Sequence, residues 1–401
     1  MAIPVPAVSH VAELVETHLP ELLPAQQRGL ALWVTGVLAA ESGCERAVLT
    51  ALEPLGLPEH ATRARLRECL ADGVDRATPC ATSLDVEACF APLLRWVLSW
   101  WQGEALPLAI DATTLRDRAV VLSISVLYRD SAIPVAWAVF PDNGKGAWMP
   151  EITRLLRTLA PAVPAALLVV VMTDGGLWSP ALWSQIRAVG WHPLMRIRPD
   201  ATFAPTGQRR QRARDLVPGP GHAWQGAGVA FKDRAKRLDA TLLVVWEDGQ
   251  ETPWVLLSDL PPQHVGVRWY GLRVWIELGF RALKSFGWDW ERTRRTDPAR
   301  IARHWLVLAI ATLLNLAVGT RVEEAEWLGV PPANLRAPRP CATPRPRRVS
   351  VFARGMAWLH TQMLRGRRWW RRLWLRPEPW PEPSPNLRIT LIPTPLETAH
   401  A

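Results

Sequence analysis

Three carboxylates sit where this chain could do chemistry with them. Asp111 ends the apolar strand segment of LPLAIDATTL, and Asp174 follows the continuous apolar run AALLVVVM. Glu277 lies in YGLRVWIELGFRALK, Tyr270 to Lys284. Strands that are parallel or adjacent in one sheet bring such aspartates to a common edge, where ligand sites of α/β folds form. Held close, two carboxylates repel unless a cation neutralises them. Magnesium is the natural cation, because it takes carboxylate oxygens and keeps exchangeable waters. Singly, each aspartate is a weak signal. A strand-end Asp is usually a turn or helix N-cap residue, and Asp259 in WVLLSDLPP shares that context.

At 100° per residue, Tyr270, Arg273, Glu277, Arg281 and Lys284 fall within an arc of about 80° of one helix. Leu272, Trp275, Ile276, Gly279, Phe280 and Leu283 take the opposite side. Such a helix packs one face on a sheet and presents tyrosine, carboxylate and three cations on the other. Helix geometry alone favours a plain reading, the i,i+4 ion pairs Arg273–Glu277 and Glu277–Arg281.

The surrounding elements read as a mixed α/β pattern. Val11–Leu23, Gln27–Ala40, Cys44–Leu55 and Leu84–Trp101 carry apolar residues at three- and four-residue spacing, as helices do. From Leu106 the texture changes. LPLAIDATTL, AVVLSISVLYRD and AIPVAWAVFP read as three strands, Pro150–Leu159 as a helix and Ala165–Met172 as a buried parallel strand. Helix Ser179–Val189 and strand His192–Ile197 complete an α/β sheet. Residues 201–265 lose the helical period and form a β-rich insertion, with Asp248-Gly249 at a hairpin turn. Helices resume from Val267 through Arg281 and over Pro298–Leu316. After Gly329 only Val351–Leu364 reads as helix, and the Pro- and Arg-rich remainder as partly disordered.

The chain has 401 residues, enough for two or three domains, and a net charge of +10. That charge belongs to the tail. Residues 331–401 hold thirteen arginines against Glu378, Glu382 and Glu397, and the rest is formally neutral. RGRRWWRRLWLR (365–376) interleaves cations with tryptophans, and either grips phosphates and stacks on bases, lies on a membrane surface, or partly covers the core as a solvated basic helix. QRRQRAR (208–214) is a second DNA-contact candidate. Trp224, Trp246 and Trp254 suit either base stacking or hairpin core. Cys44, Cys69, Cys80, Cys89 and Cys341 form no CxxC pair, so small buried thiols are expected rather than a zinc site. The longest apolar run, Trp305–Val318, is too short for a bilayer span and suits a core helix. The N-terminus lacks a secretory signal pattern, which places the protein in the cytoplasm.

Tyr270-x2-Arg273-x3-Glu277-x6-Lys284 resembles the Y-x2-R-x3-E-x6-K signature of a large branch of bacterial insertion-sequence transposases. Those are DDE enzymes on an RNase H-like fold, which retroviral integrases share. LAIDATTL is similar to the family's first-aspartate strand, and VVVMTDGGLWSPALWSQIRAVGWHPLMRIR to its second-aspartate region. A β-rich insertion before the glutamate is likewise a feature of this branch. The resemblance spans about residues 100 to 320 and does not reach the tail. It implies that Asp111, Asp174 and Glu277 are catalytic and hold two Mg2+ (or Mn2+) ions. Tyr270, Arg273 and Lys284 would contact DNA ends, and Arg281 is added from its place on the same face.

The implied reaction is hydrolytic cleavage at transposon ends, then transfer of the 3′-hydroxyl into target DNA. The expected partners are double-stranded DNA, as terminal inverted repeats and target, and a second copy in a homodimer, with no membrane and with nucleoid association on DNA. The expected organisation is a helical N-terminal domain (1–104) with a DNA-end-binding role and an RNase H-like catalytic domain in two parts (105–200 and 266–325). The β-rich insertion (201–265) splits it, and a basic tail follows (326–401). A metal-dependent nuclease of the same fold and a catalytically decayed DNA-binding relative are the alternatives. A paired-carboxylate glycosidase needs a neutral acid and no metal, and leaves the basic tail without a role.

Overall fold

The computed structural model describes residues 6–72, 83–141, 148–335, 337–338, 347–365 and 372–393. The chain forms two compact units. One comprises Met1–Glu104, Ala112–Pro164 and Trp275–Glu378; the other comprises Ala105–Asp111, Ala165–Val274 and Pro379–Ala401.

The first unit begins with helices α1 (Pro6–His18), α2 (Pro24–Ala40), α3 (Glu45–Leu52), α4 (Glu59–Leu70) and α5 (Phe90–Trp100). Helix α4 adds to those expected. Its EHATRARLRECL buries only Thr62, Leu66, Cys69 and Leu70, so its apolar period is sparse. Strand β1 (Ala105–Leu115) enters this unit with its last residues, ahead of the hairpin of β2 (Ala119–Tyr128) and β3 (Ser131–Phe140). Helix α6 (Trp148–Leu159) follows, burying Ile152, Leu155, Leu156 and Leu159.

In the second unit the strands run in the order β1, β4 (Leu168–Thr173), β5 (His192–Ile197), β10 (Trp254–Ser258), β9 (Leu238–Trp246), β8 (His222–Ala230), β6 (Thr202–Pro205) and β7 (Gln211–Arg212). Strands β1, β4 and β5 are parallel, and α7 (Pro180–Ala188) links the last two. The insertion returns through β10, antiparallel to β5, so its strands extend the sheet of β1, β4 and β5. Gly249 takes φ 83° in the β9–β10 turn, a conformation open to glycine. The mixed α/β class and the β-rich insertion are as the RNase H-like resemblance implies.

The first unit closes with α8 (Val274–Arg281), α9 (Pro298–Trp327) and α10 (Val351–Leu364). Asp297 caps α9 by accepting from Arg300 N at 2.7 Å. One described helix, α9, is long and apolar enough to cross a membrane, and its apolar window is 94% buried inside the protein. Trp305 packs against Trp290, Trp137 and Phe280 at ring separations of 5.2, 5.9 and 6.5 Å. The two polar residues of its apolar run each have a side-chain hydrogen bond. Trp288 Nε1 donates to Thr312 at 2.9 Å, and Asn315 Nδ2 to the Phe352 carbonyl at 2.9 Å. The helix runs past the expected Leu316 because its later charges are paired internally. Glu323 accepts from Arg129 at 2.7 Å and Arg347 at 2.6 Å, and Glu324 lies 3.2 Å from Arg376.

Among its described residues, part of the tail is packed into the fold. Leu373, Trp374 and Leu375 are buried, and Trp374 Nε1 donates to Glu324 at 3.0 Å. This half of RGRRWWRRLWLR is core, because three apolar side chains outweigh the flanking arginines; residues 366–371 lie outside the described residues. In the second unit the tail supplies β11 (Arg388–Ile392), parallel to β8 from Arg388↔His222 to Ile392↔Gly226. Strand β6 covers β8 only over Gly228–Ala230, and β11 pairs the edge left open. Cys69 and Cys89 are buried free thiols and Cys44 is half-buried, whereas Cys80 and Cys341 lie outside the described residues.

Helices α9 and α10 approach closely through glycine. A Cβ on Gly355 would strike the Asn315 carbonyl, and one on Gly319 would strike the Val351 carbonyl. Gly355→Ala should therefore cost about 1–3 kcal/mol, as overpacking does. Chemical denaturation would read this as a lower midpoint, and an unchanged midpoint would show that the two helices do not meet there.

Candidate active site

Parallel pairing of β1 and β4 runs from Ala105↔Leu168 to Ile110↔Thr173. The next residues are Asp111 and Asp174, so the register alone sets them side by side where that pairing stops. Strand β1 does not end at Asp111, as expected, but continues to Leu115. What ends there is β4, and with it the parallel ladder.

The two carboxylates differ in their commitments. Asp174 Oδ1 accepts from Gly176 N at 3.1 Å and Leu177 N at 3.0 Å, a turn closed by the side chain. Its Oδ2 faces Arg273 Nη2 at 3.9 Å. The same nitrogen donates to Asp111 Oδ2 at 2.7 Å. A single guanidinium thus faces both carboxylates and offsets one of their two charges, leaving the pair a net negative charge that a cation would balance. The side chains of Asp111 and Arg273 are 18% and 13% exposed, and Asp174, at 41%, is the more open.

Asp259 is separated from this pair by strand direction. Because β10 runs antiparallel to β5, Ser258 pairs with Leu194, near the start of β5. Asp259 therefore falls at the opposite edge. There it pairs with Arg187 at 3.2 Å and His192 at 3.1 Å. Direction distinguishes it from Asp111 and Asp174, where local sequence could not.

The signature segment is not one continuous α-helix. Trp269–Arg273 is a 3-10 turn, α8 covers Val274–Arg281, and Ala282–Phe286 is a π turn. In a 3-10 turn residues i and i+3 eclipse, so Tyr270 and Arg273 lie on one side. Tyr270 is 4% exposed, and its hydroxyl donates to the Thr173 carbonyl at 3.1 Å, one residue before Asp174. Trp254 meets its ring edge-on at 5.5 Å. Burial pushes the Tyr270 hydroxyl up to about 12, against the opposing pull of Arg273 and Arg196.

Glu277, Arg281 and Lys284 belong to the first unit. Helix α8 buries Ile276, Gly279 and Phe280. A Cβ on Gly279 would lie 2.8 Å from that of Ala132, so glycine lets α8 approach β3. Glu277 is exposed in the first turn of α8. The Arg281 guanidinium lies 4.9 Å from the centre of the Phe286 ring. Lys284 Nζ is 3.9 Å from Glu291, and burial lowers its pKa while Glu291 opposes the shift.

Of the tryptophans with two readings, Trp224 is core, edge-on to Phe203 at 5.9 Å. Trp246 Nε1 donates to the Gln250 carbonyl at 2.9 Å. Two features had no signal in the sequence: the Tyr270–Thr173 bond, and the packing of Trp178 against Phe231 at 4.8 Å. Among the described residues, no group of three or more His, Cys, Asp or Glu is gathered as a metal cluster. The Asp111–Asp174 pair offers oxygens only, around a point already occupied by positive charge, and this donor set fits a hard divalent cation.

The chain has only two tyrosines, and burial raises the pKa of Tyr128 as well. The folded protein should show no tyrosinate absorbance near pH 10, where the unfolded chain titrates. Tyr270 is raised on folding, so its stabilising contribution is full below pH 10 and falls as pH rises towards 12. The loss should be about 1.4 kcal/mol per pH unit in that window. Spectroscopic titration and pH-dependent denaturation would check both, and a folded-state transition at pH 10 would contradict the burial.

A family model described as a transposase DDE domain matches residues 104–314, just over half of the chain. No curated protein matches it. Among solved structures, a piggyBac transposase synaptic complex with hairpin DNA is similar over 89% of this chain and 77% of that one, with 11% identity and a TM-score of 0.44. That likeness is too loose to add weight. The family match is sufficient by its extent, and it contains Asp111, Asp174, Arg273 and Glu277; the chain belongs to the DDE transposase family.

Proposed function

We propose that Asp111, Asp174 and Glu277 are the catalytic triad of this DNA transposase and hold two divalent ions, magnesium or manganese. Enzymes of this family generally use divalent metal ions. The β1–β4 register supports the assignment, because Asp111 and Asp174 are the next residues after its last pair, beside a guanidinium that faces both. Glu277, four residues after Arg273, is the third carboxylate of the signature. When bound, such ions supply charge neutralisation and activation of the attacking oxygen.

The remaining tasks fall to the chain's own groups. Asp174 spends one oxygen on its turn, which fixes the direction of the other. Tyr270 anchors the end of β4 through Thr173 and thereby positions Asp174. The planar fork of Arg273 suits a phosphate as well as a carboxylate, so it can hold DNA beside the aspartates. Lys284 and Arg281 extend phosphate contact along the segment after Glu277.

The reaction is hydrolysis of a phosphodiester at each transposon end, leaving a 3′-hydroxyl that attacks a target phosphodiester. Each step forms one P–O bond and breaks another with no covalent enzyme intermediate, so in-line positioning and charge neutralisation carry the rate. The DNA partners are the terminal inverted repeats and the target duplex, and the protein acts on them as a homodimer.

Asp111→Asn, Asp174→Asn and Glu277→Gln should each abolish metal-dependent cleavage of labelled end DNA while duplex binding persists. Full cleavage by any one of them would remove that residue from the triad. Lys284→Ala should weaken binding and reduce the salt slope of log K by about 1, the signature of one lost phosphate contact.

A further inference from the structure

The insertion carries a row of cations that the triad does not use. Ala230 of β8 pairs with Leu238 of β9 and Phe203 of β6, and Phe203 pairs with Gln211 of β7. These four residues form one line across the sheet. One position further lie Arg237, Phe231, Thr202 and Arg212, with Thr202↔Arg212 paired and Phe231 N donating to Thr202 O at 2.7 Å. The β8–β9 loop thus joins Lys232, Arg234, Lys236 and Arg237 to Arg212 at one end of the sheet.

All five cations are exposed, and none is paired with a carboxylate among the described residues. The acid within the loop, Asp233, caps its 3-10 turn by accepting from Ala235 N at 3.1 Å. An ordinary solvated loop would be free to drift, but this one is held. Phe231 has φ 66°, a left-handed conformation costly for a bulky residue. Its ring packs at 4.8 Å on Trp178, four residues after Asp174 in the loop that begins with the Asp174 turn. A strained anchor therefore ties the cationic loop to the loop carrying a catalytic carboxylate.

We infer that Lys232, Arg234, Lys236, Arg237 and Arg212 form a phosphate track that grips a DNA duplex running towards Asp174. The inference rests on the DNA-cleaving function proposed above and assigns part of its duplex contact to the insertion. A duplex fits better than a compact anion, because five exposed cations spread over the β8–β9 loop and the end of β7 offer several separate phosphate contacts. Phe231 is a positioning residue: it fixes the track relative to the Asp174 loop.

The test compares the full chain with a Lys232→Ala, Arg234→Ala, Lys236→Ala, Arg237→Ala variant, using a short duplex of mixed sequence as the probe. All four residues are exposed, and circular dichroism would verify the fold. The salt slope of log K should fall by about 3.6, at 0.9 per phosphate contact. Between 50 and 200 mM salt, wild-type protein should then lose on the order of a hundredfold more affinity than the variant. In cleavage assays the variant should raise KM and leave kcat unchanged, and Phe231→Ala should lower kcat without changing the salt slope. Binding by the variant with wild-type slope and affinity would overturn the track even if the wild type cleaves. A wild type that binds through these residues but never cleaves would instead sink the proposed catalysis and leave the track standing. Equal loss of binding to anionic lipid vesicles and to duplex would show a general anion surface and overturn the assignment to DNA.

Discussion

Two carboxylates at the end of adjacent strands need a positive charge between them, and the second unit is built to meet that need. Side chains alternate faces along a strand, so a slip of one residue in β1 or β4 would send one aspartate to the other side of the sheet. The six-residue ladder from Ala105 to Ile110 suppresses that slip with apolar side chains that are almost all buried. Arg273 then supplies charge from a 3-10 turn whose tight pitch aligns it with Tyr270. The hydroxyl of Tyr270 reaches back to the strand that carries Asp174. Backbone register, turn pitch and one buried phenol act on the same few atoms.

The first unit solves a different problem: keeping a long, almost wholly buried helix in one place. Apolar contacts alone leave a helix free to rotate or slide, whereas α9 also carries Thr312, Asn315 and Glu323, each with a defined partner. Glu323 is fully buried and Arg129 is 2% exposed. Arg129 and Asp130 form the β2–β3 turn with φ of 44° and 60°, where Asn-Gly would be the relaxed choice. Buried ion pairs are weak evidence of net stability, but removal of one partner costs roughly 3–5 kcal/mol. The Arg129–Glu323–Arg347 cluster is better understood as fixing helix position than as adding stability.

Much of this was legible in the residues, and the failures have physical causes. Helix α10 spans Val351–Leu364 as expected, and β5 matches its expected span. Asp111 and Asp174 were readable as strand-end acids, but β1 outruns β4, so pairing rather than strand length defines their edge. The signature segment read as a single helix because apolar spacing does not distinguish α from 3-10 or π turns over a few residues. That distinction matters, since it turns Tyr270 inward to Thr173 and Arg273 towards the aspartates. Strand β11 was missed although RITLI alternates and lies between prolines; tail composition outweighed five local residues. Glu277's exposure follows from the buried side of α8, while its role rests on the signature.

The antiparallel return of β10 onto β5 has a consequence for how this chain tolerates change. The insertion leaves the sheet after Ile197 and rejoins it at Val255, which is the direct partner of Ile197. Departure and return share one point on one strand. Everything hung beyond β10 adds outward, towards β7, and none of it lies between β4 and β5. Strands at that far margin can be lengthened or replaced without entering the β1–β4 register that sets Asp111 beside Asp174. Residues 105–111 and 168–174 have no such freedom, because every residue there counts towards the meeting of two carboxylates.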